Sequence, residues 1–75
     1  MPAVATKRAI RFRIEFERED DGRWIADIVD LPGVMAYGST PEEALKKVQS
    51  LAYRVLADKV EQEREPRMGV QFAIA

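Results

Sequence analysis

Apolar and polar residues alternate almost without interruption from Lys7 to Arg18: Ile10, Phe12, Ile14 and Phe16 fall on one side, and Arg11, Arg13, Glu15 and Glu17 on the other. A period of two is the mark of a strand buried on one face. Glu19-Asp20-Asp21-Gly22-Arg23 follows as a hairpin connection, expected to be a three-residue loop with Gly22 left-handed at a bulge. The second strand is expected from Arg23 to Val29. Loop length decides which way it faces, because a slip of one residue exchanges the two faces. With three residues, Trp24, Ala26 and Ile28 join the side of Ile14 and Phe16, while Ile25, Asp27 and Val29 point away. A two- or four-residue loop reverses that assignment.

The stretch from Asp30 to Ala44 then combines a turn, a short strand and a capped helix start. In Leu31-Pro32-Gly33, proline fixes φ at the second turn position and glycine accepts the positive φ that a type II turn needs at the third. Asp30 is placed to brace that turn. Val34 to Tyr37 is strand-compatible, and Gly38-Ser39 is expected to release the backbone before Thr40-Pro41-Glu42-Glu43. That quartet has the form of a capping box. Thr40 is the N-cap and accepts from the amide of Glu43, Pro41 occupies the position where a missing N–H is harmless, and Glu43 reaches back to the cap.

The helix is expected from Pro41 to about Gln62. Ala44, Leu45, Val48, Ala52, Val55 and Leu56 form its apolar stripe, with Leu51 at the edge, and Glu42, Lys46, Lys47, Gln49, Arg54 and Asp58 lie outside it. Tyr53 also lies off the stripe, as either a surface aromatic or an anchor for a partner. The charged run Glu61 to Glu65 ends at Pro66 as a solvated helix end. From Arg67 to Ala75, Met68, Val70, Phe72 and Ile74 alternate with Gly69, Gln71 and Ala73 as a last strand. Met1 to Thr6 carry no pattern and are expected to be disordered.

The resulting order, β-β-β-α-β, predicts an α+β domain. Short links make the first three strands a meander, and a right-handed crossover through the helix returns a strand parallel to the third. Placing that strand beside the first gives a two-layer fold with sheet order 3-2-1-4, one helix on one face, and the other face open. A chain of 75 residues is a single domain, residues 1–75, that buries only about 60% of its unfolded surface. With an open face and two sheet edges, association into a homodimer or homotetramer is expected.

Composition narrows the chemistry. There is no histidine and no cysteine, which removes the commonest metal ligands, the commonest general base and every catalytic triad built on either. No enzyme activity, cofactor or metal is expected. Twelve basic and thirteen acidic residues give a net charge of -1, so the chain as a whole has no electrostatic pull on nucleic acid. No apolar run approaches the roughly 20 residues of a membrane span, and the first residues lack the apolar core of a secretory signal. A cytoplasmic location without membrane contact is the expectation.

The run Asp21-Gly22-Arg23-Trp24-Ile25-Ala26-Asp27-Ile28-Val29-Asp30-Leu31-Pro32-Gly33, followed by Tyr37-Gly38-Ser39-Thr40-Pro41-Glu42-Glu43-Ala44-Leu45, resembles the N-terminal domain of HicB-family antitoxins. The shared features are an aromatic and alanine strand, a D-L-P-G turn, a G-x-T step and an E-E-A helix start. These motifs lie within the first two-thirds of the chain, and the rest agrees by element order. The resemblance implies a partial ribonuclease-H-like fold and a place in a type II toxin-antitoxin system, in which the antitoxin masks a small, basic, HicA-type mRNA-cleaving toxin. Longer members add a DNA-binding segment. This sequence ends on its last strand, so no direct DNA binding is expected of it.

A ribonuclease-H-like fold raises the question of metal-dependent cleavage, which needs carboxylates converging on two divalent ions about 3.5–4 Å apart. Glu15, Glu17, Asp27 and Asp30 are the available acids, but Arg13 is close enough to neutralise Glu15 and Asp27, and fold does not transfer activity. An ordinary charged sheet surface is the preferred reading, with Asp30 a turn brace. The acidic hairpin of Glu17, Glu19, Asp20 and Asp21 is a solvated tip that also suits a basic partner. The expected partner surface comprises Trp24, Ile25, Asp27, Val29 and Tyr37, with Trp24 better suited to filling the core or a homodimer interface. The alternative to an antitoxin is a stand-alone homo-oligomeric scaffold or small-ligand module without a toxin.

Overall fold

The computed structural model describes residues 10–63 and 69–75. Met1 to Thr6 and the ends of the first and last predicted strands, Lys7–Ala9 and Arg67–Met68, lie outside these. Four strands and one helix follow in order: β1 (Ile10–Arg18), β2 (Trp24–Ile28), β3 (Met35–Gly38), α1 (Pro41–Gln62) and β4 (Val70–Ile74). They form a four-stranded mixed sheet ordered β3-β2-β1-β4. β1 pairs antiparallel with β2 and parallel with β4, and β2 pairs antiparallel with β3. The α+β architecture with sheet order 3-2-1-4 is as the pattern implies.

The β1–β2 hairpin has the three-residue loop. Glu19 and Arg23 are bonded across it, the Glu19 amide donating to the Arg23 carbonyl at 2.7 Å, and the amide of Gly22 closes the turn on the Glu19 carbonyl at 2.9 Å. Gly22 has φ +90°, a left-handed conformation that glycine adopts without the strain a Cβ would bring. Register follows from this loop. Ile14 opposes Ile28, Phe16 opposes Ala26 and Arg18 opposes Trp24. The side chains of Phe12, Ile14, Ala26 and Ile28 therefore meet Ala44, Val48 and Ala52 of the helix in one buried cluster, with Leu31 at its margin.

The second turn forms between Leu31 and Val34, whose amide donates to the Leu31 carbonyl at 3.0 Å, with Gly33 at φ +86°. Asp30 does not brace this turn. Its carboxylate instead reaches β1, accepting from the Arg13 amide at 2.8 Å and from Arg13 Nη2 at 3.0 Å. The charged pair sits where Arg13, bonded through its carbonyl to the Val29 amide, comes level with the chain leaving β2. It fastens the β2–β3 connection to the central strand.

Two expectations about the helix start need correction. Thr40 is the N-cap and its hydroxyl accepts from the Glu43 amide at 3.1 Å, but the Glu43 carboxylate lies between Lys47 Nζ at 3.2 Å and the backbone of Ser39, one residue before the cap. Gly38 does not loosen the chain. It is the last residue of β3, fully paired opposite Trp24, and a Cβ there would stand 2.4 Å from the Ala44 nitrogen. The first turn of the helix rests directly on this glycine. At the other end Glu63 leaves the helix extended, its amide donating to the Lys59 carbonyl at 3.0 Å.

α1 packs on β2 and β3. Its buried residues are Ala44, Val48, Ala52 and Leu56, a stripe of mostly small side chains that permits close approach to the sheet. Tyr53 is 53% exposed but is not free of the fold: its ring meets Phe72 of β4 edge-on, with centroids 5.6 Å apart. Phe72 also touches Phe12, at 5.8 Å. Among the described residues no helix is long and apolar enough to cross a membrane.

Candidate functional site

Residues of β1, β2 and β3 that point away from the helix build the second face of the sheet. Because Ile25 opposes both Glu17 and Tyr37, and Asp27 opposes both Glu15 and Met35, these six side chains form two adjacent rows across three strands. No described element covers them. Val29, Met35 and Tyr37 are 38%, 42% and 40% exposed, a level unusual for large apolar residues gathered on one face. A cleft of about 220 Å³ opens among Glu15, Glu17, Ile25, Asp27 and Met35.

Of the residues expected at a partner surface, Ile25, Asp27 and Tyr37 come together here, and Val29 lies just beyond the end of β2, its amide bonded to the Arg13 carbonyl at 2.9 Å. Trp24 does not join them. Its register places it with Arg18 and Gly38 on the helix side, half-buried against the core, with the Arg18 guanidinium 5.9 Å from its ring. Met35 was missing from the expected set. The alternation of Val34 and Ala36 with Met35 and Tyr37 carries the signal, since it puts the two larger side chains on the outward face.

Electrostatics divide the face. Along β1 the outward residues run Arg11, Arg13, Glu15, Glu17, so the basic half lies at one end and the acidic half at the other. Arg13 is held by Asp30, and this hydrogen-bonded pairing raises its pKa; Glu15 contributes less. Its ion pair is with Asp30, and Glu15, Glu17 and Asp27 gather around Ile25 and Met35. Arg23 folds over Tyr37, its guanidinium 4.4 Å from the ring centre, and its Nε bonds Asp21 at 2.7 Å. The hairpin tip is less acidic than its sequence suggests, because Asp21 is spent on Arg23.

The same pairings set the titration behaviour. The Arg13 guanidinium, followed by the Arg13 amide, holds the Asp30 carboxyl below the ordinary aspartate value, and the Arg23 amide does the same for Asp21. Lys47, then the Ser39 backbone, lowers Glu43. A carboxyl depressed in the folded state contributes stability above its unfolded pKa, and that contribution is lost as pH falls through the folded one. The tie between Asp30 and β1 is thus expected to persist until pH drops below the usual aspartate range. Carboxyl-carbon NMR titration checks this: Asp30 should titrate low in the native chain and move up toward the ordinary value in Arg13→Gln.

Among the described residues no three acidic, histidine or cysteine side chains are arranged to hold a metal ion. Glu15 and Asp27 are cross-strand neighbours, but Asp30 is committed to Arg13 beyond the end of β2. The geometry offers an apolar contact surface flanked by carboxylates. Its natural complement is a protein surface carrying apolar side chains beside arginine or lysine. Comparison with protein families, with curated proteins and with solved structures found no match to this chain.

Proposed function

We propose that this domain is a protein-binding module acting through the uncovered sheet face, and specifically a HicB-like antitoxin that neutralises a small, basic, HicA-type mRNA-cleaving toxin by covering it. The observation that carries the reading is the patch of Val29, Met35 and Tyr37, exposed around the half-buried Ile25 and beside Glu15, Glu17 and Asp27. The apolar residues supply contact area, and the carboxylates match the positive charge that an RNA-cleaving enzyme needs to hold a phosphate backbone. The sequence resemblance from Asp21 to Leu45 supplies the identity of the partner.

Co-expression of the domain with a HicA-type toxin tests it. A stable complex that suppresses RNA cleavage is expected, and Ile25→Lys, which sets a charge among apolar contacts without touching the helix-side core, should weaken binding at least tenfold while leaving the fold intact. Failure to bind, or binding indifferent to Ile25→Lys and Met35→Lys, overturns the assignment. The other reading, a stand-alone homo-oligomeric scaffold or small-ligand module, is favoured by one feature, the apolar outer strand β4.

A further inference from the structure

We propose that the outer edge of β4 is a self-association site, at which a second copy of this chain adds its own β4 antiparallel and joins two four-stranded sheets into one. β4 pairs with β1 on one side, and among the described residues no strand pairs with the other. The bonds to β1 fix which backbone groups are left over. The Gly69 carbonyl accepts from Ile10, and the Ala75 amide donates to the Ile14 carbonyl, so odd-numbered residues of this segment turn their peptide groups toward β1. In a strand the direction alternates, and Val70, Phe72 and Ile74 direct their N–H and C=O groups outward.

These groups are self-complementary about Phe72. Antiparallel pairing on a two-fold axis there exchanges both bonds between Phe72 and its equivalent, and both between Val70 and Ile74 of the second copy, so every outward group of the strand is satisfied. The side chains agree with the backbone. Val70, Phe72 and Ile74 share one face of the sheet, the face of Ile10, Phe12 and Ile14, and each would meet another apolar residue across the axis. Gln71 would meet Ala73. The strand carries no charge and no proline, the usual devices that keep an edge single.

Packing leaves the same place unfinished. α1 lies on β2 and β3, and Ile74 is 69% exposed, the most exposed large apolar residue described. The Tyr53–Phe72 aromatic pair lies alongside. A second copy brings an identical apolar set to this side of the joined sheet, where each helix reaches β4 through Tyr53 on Phe72 and leaves Ile74 exposed. The opposite edge, β3, is a poorer site: it is four residues long and ends at Gly38 under the first turn of the helix. The proposal is independent of the toxin reading, since the open face of β1 to β3 stays accessible in such a dimer.

Light scattering on the purified chain over a concentration series, with amide hydrogen exchange, tests it. A particle of twice the 8.5 kDa chain mass is expected, with the Val70, Phe72 and Ile74 amides slowing at least tenfold as the dimer forms. Ile74→Pro removes an outward amide that the single copy does not use, and Ile74→Lys places a charge opposite Val70; both should give a monomer with an unchanged circular dichroism spectrum. If proline disturbs the neighbouring Ala75 bond, the lysine variant decides. A monomer at every concentration overturns the proposal and leaves the edge to a strand from some other protein. A dimer that survives Ile74→Lys, or one abolished by Ile25→Lys instead, also overturns it by moving the interface elsewhere.

Discussion

Replacing Gly38 by alanine is expected to destabilise the domain by about 3 kcal/mol or more, the upper part of the range for overpacking a close contact. A Cβ at this position would lie 2.4 Å from the Ala44 nitrogen, 2.9 Å from the Glu43 carbonyl carbon and 3.0 Å from the Ala44 Cα. All three are backbone atoms in the first turn of α1, so no side chain can swing aside. Either the helix lifts from β3, opening the contact between Ala44 and the sheet, or β3 shifts and its pairing with Trp24 is lost. For a domain of this size the change corresponds to a fall in Tm of roughly 12–24 °C, readable by thermal circular dichroism.

Gly33 provides the contrast that identifies the cause. Its φ is +86°, yet a Cβ there would meet nothing within 4 Å. Gly33→Ala is expected to cost about 1–2 kcal/mol through the left-handed backbone alone, and Gly33→Asn less, since asparagine tolerates that region. At Gly38 asparagine should be as damaging as alanine or worse. Equal effects at the two glycines, or rescue of Gly38 by asparagine, would refute the packing explanation.

The second large effect is expected at Ile14. It is fully buried in the central strand, opposite Ile28 on one side and Ile74 on the other. Ile14→Ala should cost about 2–5 kcal/mol through lost transfer energy and the cavity left behind, and Ile14→Val about 0.5–1.5. A domain of 75 residues has about 4–11 kcal/mol in total, from ~0.05–0.15 kcal/mol per residue. The alanine variant should therefore populate the unfolded state measurably at ambient temperature. Urea denaturation would show this as a drop in midpoint at nearly constant slope. Ile28→Ala should behave alike, and the double variant should cost less than the sum, since the two side chains share one cavity.

These predictions draw on different kinds of information. Ile14 and Ile28 could be placed in the core from alternation alone, once the three-residue loop at Asp20-Asp21-Gly22 set the register. With that loop, Ile25, Asp27 and Val29 fall on the open face by the pleat, whereas a two- or four-residue loop would reverse them, and the pairing of β3 with β2 brings Tyr37 beside Ile25. Met35 follows from the same alternation, and the register that fixes Ile14 also puts Trp24 on the helix side.

What the sequence by itself determined is the order of elements, the pairing of β1 with β2, the type of each turn and the limits of the helix, Pro41 to Gln62. Each rests on residues a few positions apart, where alternation, a positive φ or a capping hydroxyl acts locally. Only the tertiary structure decided that Gly38 is a seat for the helix, that Asp30 is tied to Arg13 seventeen residues away, that Tyr53 rests on Phe72, and that α1 lies over β2 and β3, leaving Ile74 bare. These depend on the angle and distance at which a finished helix meets a finished sheet. That geometry is the sum of all the packing contacts, and no short stretch of the chain contains it.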